Sequence, residues 1–167
     1  SIPGSVGAAI YTSEFAPLKI KEFVKPLVEI LAGIPSVVLG FFALMVMASF
    51  FHSVFHSTMR LNALNAGVAL SFAIIPLIYS IAEDSLNSVP RSLKEASLAL
   101  GANRWQTASR VSLSVAMPGI LAGIILGLGR AVGETMIVLM ASGNASILSA
   151  DIFDSVRTMS ATIAAEL

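Results

Sequence analysis

The sequence predicts an all-α protein, a polytopic bundle of helices that crosses a membrane. Hydrophobic residues make up 56% of the chain and charged residues only 12%, about half the charged share of a soluble domain. The charges are also unevenly placed, because residues 30–51, 61–82 and 111–129 contain none. A hydrocarbon core of about 30 Å needs roughly 20 apolar helical residues. Each of these stretches is therefore long enough to span a bilayer.

Taken in order, the elements are expected to form one transmembrane domain over 1–167. Full spans are predicted at about 27–51, 62–82 and 112–141. The apolar stretch 2–11 is too short to cross and is predicted to be the tail of an earlier span. The chain opens with Ser1 instead of Met, and residues 142–167 are polar and typical of a loop. We therefore expect a partial chain of a longer membrane protein.

Composition also excludes several functions. Ten Lys and Arg balance ten Asp and Glu, whereas a nucleic-acid binder needs a basic excess to neutralise phosphates. The absence of cysteine excludes disulfides, zinc knuckles and thiol nucleophiles. His52 and His56 are four residues apart, but no third ligand is evident, so no metal site and no other cofactor is expected.

The orientation follows from the Lys and Arg residues of the loops, because positively charged loops stay in the cytoplasm. The residues on one side are Lys19, Lys21, Lys25, Arg91, Lys94, Arg104 and Arg110. The opposite side carries only Arg60 and Arg157. The segment 83–110 is therefore predicted to be cytoplasmic, and the protein a multi-pass component of the cell membrane.

Two spans contain prolines that are predicted to kink or break them. Pro35 follows Gly33 in the first span, and Pro76 lies within the second. Proline removes a backbone donor, and the freed carbonyl must then face protein or a wet cavity. A structural kink and a role in binding are both open.

The third span carries the residues most informative about function. Gly119, Gly123 and Gly127 recur at every fourth position, which lets a second helix approach closely. At 100° per residue, Arg130 and Glu134 fall on the same stripe of a helix that we predict over about 117–141. A charge within the membrane costs at least about 2.5–3.5 kcal/mol on insertion scales, so Arg130 must face protein or water.

Glu134 is expected to partner Arg130, because residues four apart meet on a helix. The pair is either a structural ion pair or part of a translocation path, in which the Arg130 guanidinium binds a passing oxyanion. We favour the path, because ionisable residues inside membranes are usually functional.

The segment 83–110 has helix signals of its own. Residues 88–90, SVP, are typical of a helix start, and Gly101 of a helix end. Within this segment Glu95, Ala96 and Ser97 are followed after three residues by Gly101, and after nine more by residues 111–114, VSLS. This resembles the EAA loop of ABC importer permeases, E-A-A, three residues, G, nine residues, I-x-L-P, with departures at three positions: Ser97, Val111 and Ser114.

Residues 129–136, GRAVGETM, resemble the matching region of phosphate permeases of the PstC and PstA kind. Residues 8–16, AAIYTSEFA, and 29–38, EILAGIPSVV, are similar to the PstC-type permeases. The resemblance extends over nearly the whole chain but covers only part of a family member, which has about six spans.

The resemblance implies the all-helical, MetI-like fold of ABC importer permeases and the import of inorganic phosphate. It implies that Glu95, Ala96 and Gly101 couple the permease to a separate ATP-binding subunit, present in two copies. A second, PstA-like permease subunit and an extracytoplasmic phosphate-binding protein are the other implied partners. The chain has no phosphate-binding G-x-x-x-x-G-K-[ST] loop of its own, so ATP hydrolysis is expected on the partner.

Three other functions are weighed against this one. A permease of the same architecture could carry sulfate, molybdate or phosphonate. An intramembrane enzyme would need a nucleophile or metal cluster, and neither a G-x-S-x-G nor an H-E-x-x-H motif occurs. A simple channel would leave the loop from Glu95 to Leu113 without a role.

Overall fold

The computed structural model describes residues 1–56, 59–146 and 151–166. Its α-helices, in chain order, are α1 (Ile2–Ile10), α2 (Leu18–Ala32), α3 (Ser36–Phe42), α4 (Ala48–Phe55), α5 (Ala63–Asn87), α6 (Arg91–Ala99), α7 (Arg104–Thr107), α8 (Leu113–Gly133), α9 (Met136–Ala141) and α10 (Met159–Glu166). Three π-helical turns continue these helices, at Tyr11–Phe15 after α1, Ala43–Met47 between α3 and α4, and Ala108–Ser112 between α7 and α8. No strand occurs in the described ranges, which confirms the all-α prediction.

Within the described residues, three helical stretches are long and apolar enough to cross a membrane: Ser36–Phe55, Ala63–Asn87 and Arg104–Gly133. At 1.5 Å per residue, the last would be about 45 Å long, so its first turns extend beyond a hydrocarbon core of about 30 Å. The polar segment predicted at 142–167 ends in helix α10, while residues 147–150 and 167 lie outside the described residues.

Pro35 separates α2 from α3, as its sequence predicts. Helix α2 ends at Ala32, and α3 begins at Ser36 directly after Pro35. Proline disfavours helical geometry in the residue before it, and its fixed φ suits a helix start. The helical stretch that is long and apolar enough to span therefore begins at Ser36. The first residues of the span predicted at 27–51 belong instead to α2.

The break predicted as one possibility at Pro76 is not present. Helix α5 runs from Ala63 to Asn87 with Pro76 inside it. Proline removes a single backbone hydrogen bond there, and the remaining bonds of this long helix are sufficient to keep it continuous. Pro76 is fully buried.

The chain divides into two compact units, each with its own apolar core. The first unit comprises Ser1–Ala32 and Ile75–Leu128. Its core residues are Ala9, Tyr79, Ala82, Leu86, Val89, Ala116 and Ile120. The second unit comprises the described parts of Gly33–Ile74 and Gly129–Leu167. Its core residues are Ala43, Met47, Ala66, Ala69, Ala73, Ile137 and Ala141. Alanine is prominent in both cores, as expected where helices pack closely.

Candidate functional site

Arg130 lies in the last turn of α8 and its side chain is exposed. The positive charge is favourably placed near the helix carbonyl end, where the helix dipole is negative. Within the described residues no carboxylate forms an ion pair with it. The guanidinium is therefore free to donate to a ligand or to another protein chain.

Glu134 follows directly after α8 and lies in the two-residue gap before α9. The residue is only 9% exposed. Its backbone carbonyl accepts a hydrogen bond of 3.0 Å from the Ser160 hydroxyl of α10. This bond fixes the backbone at the interruption between α8 and α9.

The continuous helix predicted over 117–141 is wrong, and so is the i, i+4 pairing deduced from it. Helix α8 ends at Gly133 and α9 begins at Met136. Glycine is a poor helix former, and Thr135 has φ of −109°, outside the usual helical range. Glu134 is therefore not on the helical stripe of Arg130. Among the ion pairs of the described chain, none joins these two side chains.

Two of the three predicted packing glycines lie against α5. An added Cβ at Gly119 would collide with the Ser85 hydroxyl and lie 2.8 Å from the Ser85 Cβ. One at Gly123 would lie 3.1 Å from the Ile81 Cβ. Gly127, the third, is buried. The close approach of α5 and α8 thus depends on the missing side chains at Gly119 and Gly123.

Helices α6 and α7 form a short hairpin, and local hydrogen bonds define where α6 ends and α7 begins. Gly101 has φ of +86°, a conformation that favours glycine. The N–H of Gly101 donates to the Leu98 carbonyl at 3.0 Å, and that of Ala102 to the Ser97 carbonyl at 3.2 Å. This pair of bonds is the Schellman motif that ends helices. The helix end predicted at Gly101 is confirmed.

The second helix of the hairpin starts with a capping box. The Asn103 side chain accepts from the Gln106 N–H, and the Gln106 side chain accepts from the Asn103 N–H. Such reciprocal bonds satisfy two backbone donors at the helix start. A hydrogen bond of 3.0 Å between the Ser97 and Thr107 hydroxyls joins the two helices. The hairpin is therefore held in a defined shape.

Glu95 and Ala96 lie on the exposed face of α6. Lys94 and Ser97 are half-buried and lie on the opposite face of the helix, towards the rest of the first unit. Leu100, which follows α6, is 89% exposed, and Trp105 of α7 remains 66% exposed although its ring contacts Phe15.

The inward face of the hairpin contacts the π-helical turn Tyr11–Phe15. The Lys94 ammonium donates to the Glu14 carboxylate at 2.7 Å, and the rings of Phe15 and Trp105 have centroids 5.7 Å apart. Sequence reasoning missed this contact. Glu14 is an acid within an otherwise uncharged stretch, but nothing in the sequence indicates that Lys94, eighty positions away, is its partner.

A second charged group links α2 to the end of α5. The Lys25 ammonium lies 3.6 Å from Glu83 and 3.4 Å from Asp84. The negative charge of Glu83, then that of Asp84, raises the pKa of Lys25 above its ordinary value. Because the folded-state pKa is the higher one, this pair stabilises the fold at neutral pH and its contribution is lost only as the pH rises into the lysine range. Lys25 is half-exposed, which keeps the contribution small.

Two buried asparagines in the second unit were also missed. Asn62 Oδ1 accepts from the Asn65 N–H at 2.9 Å and caps α5. The Asn65 side chain donates to the carbonyls of Ala43 and Ala141 at 3.3 and 3.1 Å. Polar residues three apart at the start of an apolar helix were the available signal.

His52 lies within α4, whereas His56 ends it with φ of 48°. The helical spacing that would bring the two imidazoles together is therefore not kept. No group of three potential metal-binding side chains is found in the described ranges.

A known family matches the sequence over nearly the whole chain. The family described as "Binding-protein-dependent transport system inner membrane component" matches residues 3–165. The chain belongs to this family. Together with the three apolar helices of the described ranges, this makes the chain part of a multi-pass inner membrane component.

Several curated proteins are similar over nearly the whole chain. A probable ABC transporter permease of Bacillus subtilis (strain 168), YqgH, is 41% identical over 162 residues, which cover 96% of this chain and 52% of the relative. The phosphate transport system permease PstC of Mesorhizobium japonicum is 37% identical over 185 residues, covering 99% and 57%. PstC 1 of Mycobacterium tuberculosis is 34% identical over 187 residues, covering 100% and 55%. The chain spans about half the length of these relatives.

Proposed function

We propose that this chain belongs to the permease subunit of an ATP-driven importer of inorganic phosphate. The supporting observation is that relatives named as phosphate transport system permeases are 31–37% identical over nearly the whole chain. The residues 129–136 that resemble phosphate permeases include Arg130, the exposed cation at the end of α8. An arginine fork suits an oxyanion, because it donates two parallel hydrogen bonds.

The α6–α7 hairpin is the proposed contact with the ATP-binding subunit. Its outer face presents Glu95 and Ala96, and the exposed Leu100 follows at the end of the same helix. This combination of a shaped helix end and uncovered apolar area fits a cleft on a soluble partner. Two copies of that partner are expected, one for each permease subunit.

The orientation proposed here puts residues 83–110 in the cytoplasm, because Lys and Arg residues concentrate there and in 12–26. The extracytoplasmic side would then receive phosphate from a binding protein, in keeping with the family's description. A second, PstA-like permease subunit would complete the path.

Arg130 is proposed to lie on the translocation path with Glu134. A guanidinium at membrane depth needs a protein or aqueous environment, and the described part of the chain supplies no ion-pair partner for it. Glu134 lies at the interruption between α8 and α9, and non-helical backbone is tolerated at membrane depth where it is buried in protein or lines a cavity. The proposed role of the Glu134 carboxylate is to weaken the binding of the anion on this path, so that the anion is released.

In the proposed mechanism, ATP binding closes the partner subunits and moves the hairpin. The permease then alternates between two states that open the Arg130 region to one side at a time. ATP binding and hydrolysis supply the free energy that shifts the permease between these two states, and the permease supplies the path.

The test of substrate is phosphate uptake at micromolar supply by cells that lack the full-length gene. We expect the wild-type gene to restore uptake, with excess sulfate or molybdate having no effect. Uptake that is restored for sulfate or molybdate, but not for phosphate, would refute the proposal.

The test of the path uses Arg130→Gln in the same cells, with Arg110→Gln as the matched control on the same long helix. We expect Arg130→Gln to abolish uptake and Arg130→Lys to weaken it, because lysine cannot make the bidentate contact. Arg110→Gln is expected to retain uptake at equal membrane levels. If Arg130→Gln also retains uptake, Arg130 is outside the path.

A further inference from the structure

We infer that Glu14 and Lys94 are positioning residues, and that their ion pair transmits motion of the α6–α7 hairpin to the π-helical turn Tyr11–Phe15. This inference rests on the proposed function, since it assumes that the hairpin is moved by an ATP-binding partner. It assigns a role in transport to residues that contact neither nucleotide nor substrate.

The ion pair is short and largely shielded from water. The Lys94 ammonium and the Glu14 carboxylate are 2.7 Å apart, with side chains 24% and 11% exposed. Charges that are partly desolvated interact more strongly than exposed ones, and removal of one partner leaves the other uncompensated. The pair therefore resists separation when the hairpin moves.

The pair lines a small cavity between the hairpin and the π-helical turn. The cavity has a volume of about 170 Å³ and is also lined by Leu98, Arg104 and Thr107. Arg104 lines the same cavity, but the ion pair of Glu14 is made with Lys94.

A second, independent contact joins the same two elements. The Trp105 ring of α7 and the Phe15 ring of the turn have centroids 5.7 Å apart at an interplanar angle of 33°. Because Lys94 lies on α6 and Trp105 on α7, each helix of the hairpin is attached to the turn. Two attachment points prevent the hairpin from pivoting about either one.

The π-helical turn is also bonded to other elements of the first unit. The Ala16 N–H donates to the Tyr11 carbonyl at 2.9 Å, closing the wide turn. The Ser13 hydroxyl donates to the Asn87 side chain of α5 at 2.9 Å, and the Lys21 ammonium of α2 donates to the Ser13 carbonyl at 2.6 Å. Displacement of the turn therefore pulls on α1, α2 and α5 together.

The geometry of the π-helical turn Tyr11–Phe15 suits an element that moves together with its neighbours. A π-helical turn accommodates one extra residue, and such turns are frequent at functional sites. Side-chain bonds to three neighbouring elements give the turn few independent movements. We conclude that Tyr11–Phe15 is where motion of the hairpin enters the membrane helices.

The experiment uses the complete transporter in proteoliposomes with its binding protein and ATP. The variants are Glu14→Lys, Lys94→Glu and the double charge swap, and the matched control is Glu22→Lys, an exposed charge reversal on α2. Two quantities are measured: ATP hydrolysed per phosphate transported, and stimulation of ATP hydrolysis by the binding protein.

We expect each single reversal to change both quantities about fivefold or more, the lower range of measured coupling between sites. The double swap should return them close to wild type, and Glu22→Lys should leave them unchanged. A merely structural pair would lower the amount of assembled transporter without changing either ratio. If a single reversal reduces assembly, Glu14→Gln and Lys94→Gln provide the same comparison with smaller changes.

Wild-type ratios in the single reversals or the Gln variants would overturn the inference, and so would a failure of the double swap to restore them. If the wild-type transporter does not carry phosphate, the proposed substrate is wrong. Stimulation of ATP hydrolysis by the binding protein still tests the ion pair in that case.

Discussion

Two glycines of α8, which have no side chain, allow α5 and α8 to pack closely in the first unit. A methyl group at Gly119 would collide with Ser85, and one at Gly123 would lie 3.1 Å from the Ile81 Cβ, a contact tighter than is usual. Membrane helices gain no hydrophobic free energy from association in lipid, so they depend on such close van der Waals packing. The spacing of the glycines predicts a packing stripe, but the sequence does not say which helix occupies it.

Gly119→Ala is expected to destabilise the protein by about 1–3 kcal/mol, the usual range for overpacking. The reason is the collision of the new methyl group with the hydroxyl and Cβ of Ser85. The measurement is thermal unfolding of the full-length protein in detergent. Gly129→Ala is the control, because nothing lies within 4 Å of a Cβ at that position.

The second variant that tests this contact is the double mutant Gly119→Ala with Ser85→Gly. It should recover most of the lost stability, because the colliding side chain has been removed. An unfolding temperature for Gly119→Ala equal to that of Gly129→Ala would contradict the account of helix packing.

The helix boundaries show which parts of the structure local sequence determines. Pro35 and Gly101 act through their own backbone geometry, and both boundaries are found where the sequence predicts them. The end of α8 at Gly133 has a different origin. Glycines are tolerated at four other positions of the same helix, so glycine alone does not end it. The hydrogen bond from Ser160 to the Glu134 carbonyl stabilises the interruption, and this contact comes from a distant part of the chain.

Helix α5 begins at a cap that can be tested directly. Asn62→Ala removes the acceptor for the Asn65 N–H and should lower the free energy of unfolding by about 0.5–2 kcal/mol. Asn62→Ser retains a capping oxygen and should lose less. Thermal unfolding of the full-length protein distinguishes the two, and equal losses would show that the cap does not stabilise α5.

At the scale of the whole molecule, the fold class and family resemblance could be predicted from the sequence, whereas the site could be predicted only in part. Long uncharged stretches indicate spanning helices whatever their partners. The contact of Glu14 with Lys94 depends on how the hairpin folds back, which no local pattern encodes. The expected pairing of Arg130 with Glu134 assumed an uninterrupted helix, and the structure ends that helix at Gly133.

The exposed charge of Arg130 and the uncovered apolar face of the hairpin are both unsatisfied within the described chain. An exposed cation in an apolar helix and exposed Leu100 and Trp105 on a short hairpin are unfavourable for an isolated membrane protein. Both are explained if other subunits cover them. Both features therefore fit the proposed function, in which the chain works within an assembled, ATP-driven phosphate transporter.

The measurement that tests this claim most directly is accumulation of radiolabelled phosphate by proteoliposomes containing the complete transporter and its binding protein. We predict that phosphate accumulates against its concentration gradient only when ATP is present on the side of the ATP-binding subunits. Excess sulfate should not inhibit this accumulation. Phosphate movement without ATP would indicate a channel. ATP-dependent accumulation of sulfate or molybdate in place of phosphate would contradict the substrate assignment.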